Sequence, residues 1–235
     1  MVQKSLWRKM LLCYCITCAL CLLLAYTGSD AVTVLVEHSP MKARTCIALD
    51  AGHGGIDGGA VSISGIPESQ INLEITERLN DLLHLLGYRT FMLRNTDTSL
   101  HTEGTTISAQ KISDLKHRVQ MVEDSEASLL ISIHQNTFSN KKYSGAQVFY
   151  HSAPESIALA GRLQENFIKT LNPVSKRKPK LAKGIYLMEH LSCPALLIEC
   201  GFLTNVQEEA LLRSEAYQKQ ICCVIAATVS SDWHK

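Results

Sequence analysis

Charge of one sign is almost absent from the balance of this chain. Its 235 residues carry 23 lysines and arginines against 22 aspartates and glutamates, a formal net charge of +1. Nothing so close to neutral supplies the electrostatic reason to expect a nucleic-acid partner. Internal repeats and low-complexity segments are also missing. Cysteine is present but forms no framework. Cys13, Cys15, Cys18 and Cys21 fall in an N-terminal apolar run, and Cys46, Cys193, Cys200, Cys222 and Cys223 remain. That odd remainder lacks zinc-site spacing and reads as small buried hydrophobes, with no disulfide framework.

The first thirty residues differ from the rest. Lys4, Arg8 and Lys9 precede an uncharged run from Met10 to Ser29. Basic residues ahead of such a run keep its N-terminus in the cytoplasm, and about twenty uncharged residues can just cross a bilayer. A cleaved signal peptide fits equally, because the strongly apolar heart is short and small residues follow it. Residues 1–30 are therefore expected to be a signal peptide or membrane anchor, 31–43 a linker, and 44–235 one exported domain with a sizeable core.

Within that domain, short β-rich runs alternate with helical patterns. The runs lie at 45–50, 88–94, 128–134, 146–150 and 195–200, and the helical stretches near 68–87, 111–125, 154–171 and 214–231. Continuous apolar strands between helices predict an α/β domain with a mostly parallel sheet flanked by helices. Such sheets keep their sites beyond the carboxyl ends of the strands.

One of those ends is unusual. The stretch "IALDAGHGGIDGGAV", Ile47 to Val61, sets five glycines around His53. A phosphate-cradling loop would run straight into a helix, and a P-loop would add Gly-Lys-Ser/Thr. Here the next helix begins only near Pro67 and no Lys-Ser/Thr follows. The loop reads instead as a presentation of His53. His134 closes "LLISIH" and Glu199 lies near the end of "LLIEC", so three ionisable groups gather at the strand ends.

The helix from Pro67 adds a fourth. Ile71, Ile75, Leu79, Leu82 and Leu86 follow helical spacing and define its buried face. At about 100° per residue, Glu68 projects onto the middle of that face, while Glu77 falls opposite and Glu74 well off the stripe. A carboxylate turned to the core needs a partner: backbone amides at the helix start, or a divalent metal. The metal also accounts for the two histidines. Two histidines and one carboxylate leave an open position, the pattern of a catalytic zinc. Asp50 and Asp57 could stand in for Glu68, although Asp57 suits a role in stabilising the glycine-rich turn.

Four blocks now carry a resemblance: "LDAGHGGIDGGA", "ESQINLEI", "LLISIHQN" and "LLIECGFLTN". In this order and spacing they resemble the zinc-dependent N-acetylmuramoyl-L-alanine amidase family across essentially the whole domain from Thr45 onward. The resemblance implies that His53, Glu68 and His134 bind Zn2+ and that Glu199 is the catalytic acid/base. It implies hydrolysis of the amide between the lactyl group of muramic acid and the L-alanine of the stem peptide in peptidoglycan. "KISDLKHRV", "YSGAQVFY" and "NPVSKRKPKLAKGIYLM" are most similar to the germination-specific, spore-cortex members. Those strip whole peptides, leaving muramic acid that a separate enzyme converts to the δ-lactam. Ala51 stands where many members have proline, and Gln135 where alanine is common.

Other polar residues carry weaker expectations. Arg94 is expected in a plain surface salt bridge, with a substrate carboxylate as the alternative. Asn136 suits either a cleft contact or a turn. The basic loop of Lys176, Arg177, Lys178, Lys180 and Lys183 suits solvation, anionic wall polymer or an activating protein partner. A zinc peptidase acting on wall peptides, or a membrane-tethered wall-binding protein without activity, are the rival readings.

Overall fold

The computed structural model describes residues 46–233. The expected signal or anchor at 1–30 and the expected linker at 31–43 lie outside the described residues. Among those described, no helix is long and apolar enough to cross a membrane.

Six strands, β1 (Cys46–Ala51), β2 (Arg89–Met92), β3 (Leu129–Asn136), β4 (Gln147–Tyr150), β5 (Lys180–Leu181) and β6 (Ala195–Phe202), form one sheet in the order β2-β1-β3-β6-β4-β5. The mostly parallel sheet expected from the sequence is present. β2, β1, β3 and β6 run parallel, β4 lies antiparallel to β6, and β5 is parallel to β4. The reversal has a simple cause. Residues 137–146 hold no helix to carry the chain back to the other end of the sheet, so β4 starts where β3 stops and runs the opposite way.

β1 and the first part of β3 are buried on both faces, which is why "CIALDA" and "LLISI" read as nearly unbroken apolar runs. Helices α1 (Glu68–Leu85), α3 (Pro154–Thr170) and α6 (Glu215–Asp232) supply Ile75, Leu79, Phe167 and Ile225 to the core on one face. α2 (Ile107–Asp124) and the short α4 (Tyr186–Glu189) close the other with Val122, Leu187 and Met188. α5 (Val206–Leu212) follows β6. Each fully buried aliphatic side chain contributes about 1.5–3 kcal/mol.

Alternation along β1, β3 and β6 sends Ile47, Leu49, Ile131, Ile133, Leu196 and Ile198 into the first core. It puts Asp50, Ser132, His134 and Glu199 on the opposite face, toward α2 and α4. The buried stripe of α1 begins at Glu68 as expected, then runs through Ile71, Asn72, Ile75, Thr76, Leu79 and Leu83. It departs from the predicted stripe at its end. Leu82 is only partly buried, and Leu86 caps the helix 38% exposed. Leu83 takes the end of the stripe that spacing assigned to Leu82 and Leu86, and the polar residues Asn72 and Thr76 join the core face beside Ile71 and Ile75.

Candidate active site

The glycine-rich loop folds back as the cap of α1. No side chain caps that helix. Instead the N–H groups of Glu68 and Ser69 donate to the carbonyls of Ala60 (2.8 Å) and Gly58 (3.1 Å). Helix start and loop thus satisfy each other's backbone groups. At the other end of the loop, His53 adopts a left-handed backbone, φ 62°, a conformation that costs a non-glycine residue on the order of 1–3 kcal/mol.

Two buried arginines hold that turn in place. Arg118 Nη2 donates to the His53 carbonyl (2.7 Å) and Nη1 to that of Ala51 (3.1 Å). Arg94 donates to the carbonyls of Ala51 (2.8 Å), Gly52 (3.1 Å), Ser69 (2.8 Å) and Thr96 (2.9 Å). The surface salt bridge expected for Arg94 is therefore corrected. Its side chain is buried among carbonyls, 3.9 Å from half-exposed Asp97 at one nitrogen. Asp50 is occupied as well, paired with Arg118 and accepting from Ser132 Oγ (2.6 Å). Burial alone would raise its carboxyl, but Arg118 and the Ser132 hydroxyl hold it below the ordinary value. Both of its oxygens are thus engaged.

His53 Nδ1 donates to Asp57 Oδ2 at 2.9 Å, and Lys111 Nζ meets the other oxygen at 2.8 Å. Burial raises the Asp57 carboxyl, yet the hydrogen bonds from Lys111 and His53 outweigh it, lowering the pKa to about 2. Asp57 also accepts from the Gly59 amide at 3.4 Å, the turn role expected of it. A carboxylate on one imidazole nitrogen fixes the ring and aims the other. Here the other, Nε2, faces Glu68 Oε2 at 3.4 Å.

Glu68 is the hub. Its oxygens accept from the amides of Ala60 (3.0 Å) and Gln135 (3.0 Å) and from Asn72 Nδ2 (3.3 Å). His134 Nδ1 lies 3.1 Å from Oε1. Burial pushes this carboxyl up, but His134, His53 and the Gln135 amide win, and its pKa falls to about 2. Asn72 in turn donates to the Gly52 carbonyl (3.1 Å) and accepts from Gln135 Nε2 (3.2 Å). Asn72 belongs to none of the candidate site residues that the sequence marks. Its one signal was a polar residue four positions after Glu68, hence on the same helix face.

His53, Glu68 and His134 each offer an atom within 4.8 Å of the others, a grouping able to hold a metal ion. Glu74 and Glu77 are outside it. Glu74 proves to be more than the plain surface residue its phase suggested, since it accepts from Gln218 Nε2 (2.9 Å) on α6. Glu74→Ala is expected to leave the cluster intact and cost about 1 kcal/mol through that tie, as read by urea denaturation.

Two glycines answer to the rings. A Cβ on Gly52 would sit 2.1 Å from His134 Nε2, and one on Gly59 (φ 69°) 2.7 Å from both Glu68 Oε2 and His53 Cδ2. Gly52→Ala must displace His134. A stability loss of about 1–3 kcal/mol is expected, with metal binding weakened beyond what unfolding explains, measured by denaturation and isothermal titration with zinc.

Glu199 stands on β6 with its Cα opposite His134 on β3. Among the described residues nothing hydrogen-bonds its buried Oε2. Burial raises the carboxyl, the Glu68 charge adds to this, and His134 and Arg177 oppose it; the pKa is pushed up to about 7. Asn136 ends β3, its carbonyl accepting from the Leu203 amide (2.8 Å). In the basic loop the four lysines are exposed, while Arg177 folds inward.

A carboxyl poised near neutrality beside a trio able to hold a metal ion, at the carboxyl ends of parallel strands, fits a hydrolase-type site on an α/β fold. The N-acetylmuramoyl-L-alanine amidase family model matches residues 47–231, and the chain belongs to that family. It is 38% identical over 227 residues to the germination-specific N-acetylmuramoyl-L-alanine amidase of Bacillus subtilis (strain 168), covering 96% of this chain and 93% of that protein. It is 27% identical over 246 residues to the amidase AmiA of Escherichia coli (strain K12), covering 84% and 81%. Among solved structures, the CwlD amidase of Clostridioides difficile in complex with the GerS lipoprotein superposes with a TM-score of 0.78 at 36% identity, covering 81% of this chain and 98% of that one. The protein is an N-acetylmuramoyl-L-alanine amidase, and peptidoglycan is its substrate class.

Proposed function

We propose that the enzyme is zinc-dependent, that His53, Glu68 and His134 hold the ion and that Glu199 is its acid/base. The observation that carries this is the convergence of the three donor atoms with an unpartnered carboxylate oxygen on the neighbouring strand. Two imidazoles and one carboxylate leave positions open to water and substrate, as catalytic zinc requires. When bound, zinc would supply Lewis acidity to the scissile carbonyl and lower the pKa of water.

The chain's own groups do the rest. Glu199, its Oε2 uncommitted, takes a proton from the attacking water and delivers it to the departing nitrogen of L-alanine. Asp57 fixes the His53 ring, and Asn72 with the Ala60 and Gln135 amides fixes Glu68. The products are a free muramic lactyl carboxylate and a stem peptide with an N-terminal alanine.

The similarity to the germination-specific amidase supports a role in the spore cortex, where peptide removal precedes muramic δ-lactam formation. The CwlD–GerS complex supports a protein partner for this chain too. Domain assignments follow the sequence: signal peptide or membrane anchor at 1–30, linker at 31–43 and catalytic domain at 44–235, acting outside the cytoplasmic membrane. Mass spectrometry of peptidoglycan digested with and without added zinc tests the reading. Stem peptides with N-terminal alanine, released only with zinc, are expected; fragments cut within the peptide would make it a peptidase.

A further inference from the structure

Arg177 is the one member of the basic loop that the fold draws in. Its Nε donates to the Ser144 carbonyl (3.1 Å) and its Nη1 to Gln147 Oε1 (2.7 Å), and the guanidinium lies 4.6 Å from the centre of the Phe202 ring. Among the described residues no carboxylate pairs with it, and Nη2 has no hydrogen-bond partner. Glu208, a nearby carboxylate, is used on the amides of Gly145 (2.7 Å) and Phe202 (2.9 Å). Burial draws the guanidinium below its ordinary pKa, only partly opposed by Glu208 and Glu199. A half-buried, immobilised guanidinium with a spare fork edge is a carboxylate receptor.

Its place in the sheet says which carboxylate. Gln147 on β4 is the Cα partner of Glu199 on β6, which is the partner of His134 on β3. His134, Glu199 and Gln147 therefore form a row across one face, each step about 4.8 Å, and Arg177 sits at the Gln147 end. Glu199 must reach the departing nitrogen, so the metal side takes the muramic carbonyl and the peptide leaves toward Gln147. At about 3.5 Å per residue, an extended peptide brings its second or third residue to Arg177.

We propose that Arg177, braced by Gln147 and Phe202, binds a free carboxylate of the leaving stem peptide two or three residues beyond the cleaved bond. The inference rests on the amidase reading. The test uses one peptidoglycan preparation, half of it amidated by carbodiimide and ammonia so that its carboxylates become carboxamides. Release of N-terminal alanine is followed for wild type, Arg177→Gln and Arg177→Lys.

Wild type should lose about 10- to 100-fold in kcat/KM on the amidated wall, the size of one charge-assisted hydrogen bond. Arg177→Gln should lose as much on native wall, mainly in KM, and little more on amidated wall. Arg177→Lys, which keeps the charge, should recover part of the discrimination. Equal cleavage of both walls by wild type, or an equal loss on both by Arg177→Gln, would overturn the proposal. Should Arg177→Gln not fold, the wild-type and Arg177→Lys comparisons decide it alone. If wild type releases alanine from neither wall, the amidase reading itself falls, and the subsite with it.

Discussion

Glu199→Gln is expected to keep its metal and lose at least 10²–10⁴-fold in turnover, the contribution typical of general acid–base catalysis. The amide fills the same space on β6 and removes the only feature the mechanism needs, a carboxylate able to take and return a proton. Metal should stay, because the donor trio of His53, Glu68 and His134 is untouched. Zinc content and turnover measured on the same preparation decide the matter. Lost zinc would make Glu199 a ligand, and near-normal turnover would leave the reaction without its base.

A second readout comes from stability in chelator. The Glu199 pKa is raised from 4.5 to about 7 by burial. The folded wild type thus binds more protons than the unfolded chain between those values, and loses stability as pH rises through that window. Glutamine does not titrate. The variant should gain on wild type from about pH 4.5 to 7 and hold a constant advantage above.

Glu68→Ala and His134→Ala should abolish zinc binding and activity together. Each removes one of three donors, and the weakening should exceed the 10- to 100-fold typical of losing a group that merely supports a ligand. Glu68→Ala carries a further cost, since the Ala60 and Gln135 amides and Asn72 Nδ2 lose their acceptor. Buried donors left without a partner cost about 1–3 kcal/mol each, so this variant should also be the less stable of the two in metal-free buffer. Zinc content by mass spectrometry and denaturation with chelator present measure both effects. Full occupancy in either variant would remove that residue from the ligand set.

The sequence by itself determined whatever depends on local period and on short motifs. The alternation of apolar runs with helical stretches specified an α/β sheet because strands buried on both faces must be continuous. The 100° step along α1 placed Glu68 on the core face and Glu74 off it, and the strand ends marked His53, His134 and Glu199. Tertiary structure alone decided how those groups are held. Arg94 suits a surface salt bridge in sequence, and nothing there singles out Arg118. They are buried because the carbonyls of Ala51, Gly52 and His53 converge on them from 42 to 67 residues away, and no local pattern records such convergence. Asp50 was removed from the candidate ligands in the same way, by Arg118 on a distant helix. The direction of β4 followed from the helix-free connection before it. Arg177 was separated from its four exposed lysine neighbours by Gln147 and Phe202, residues that only the assembled sheet brings to the end of the basic loop.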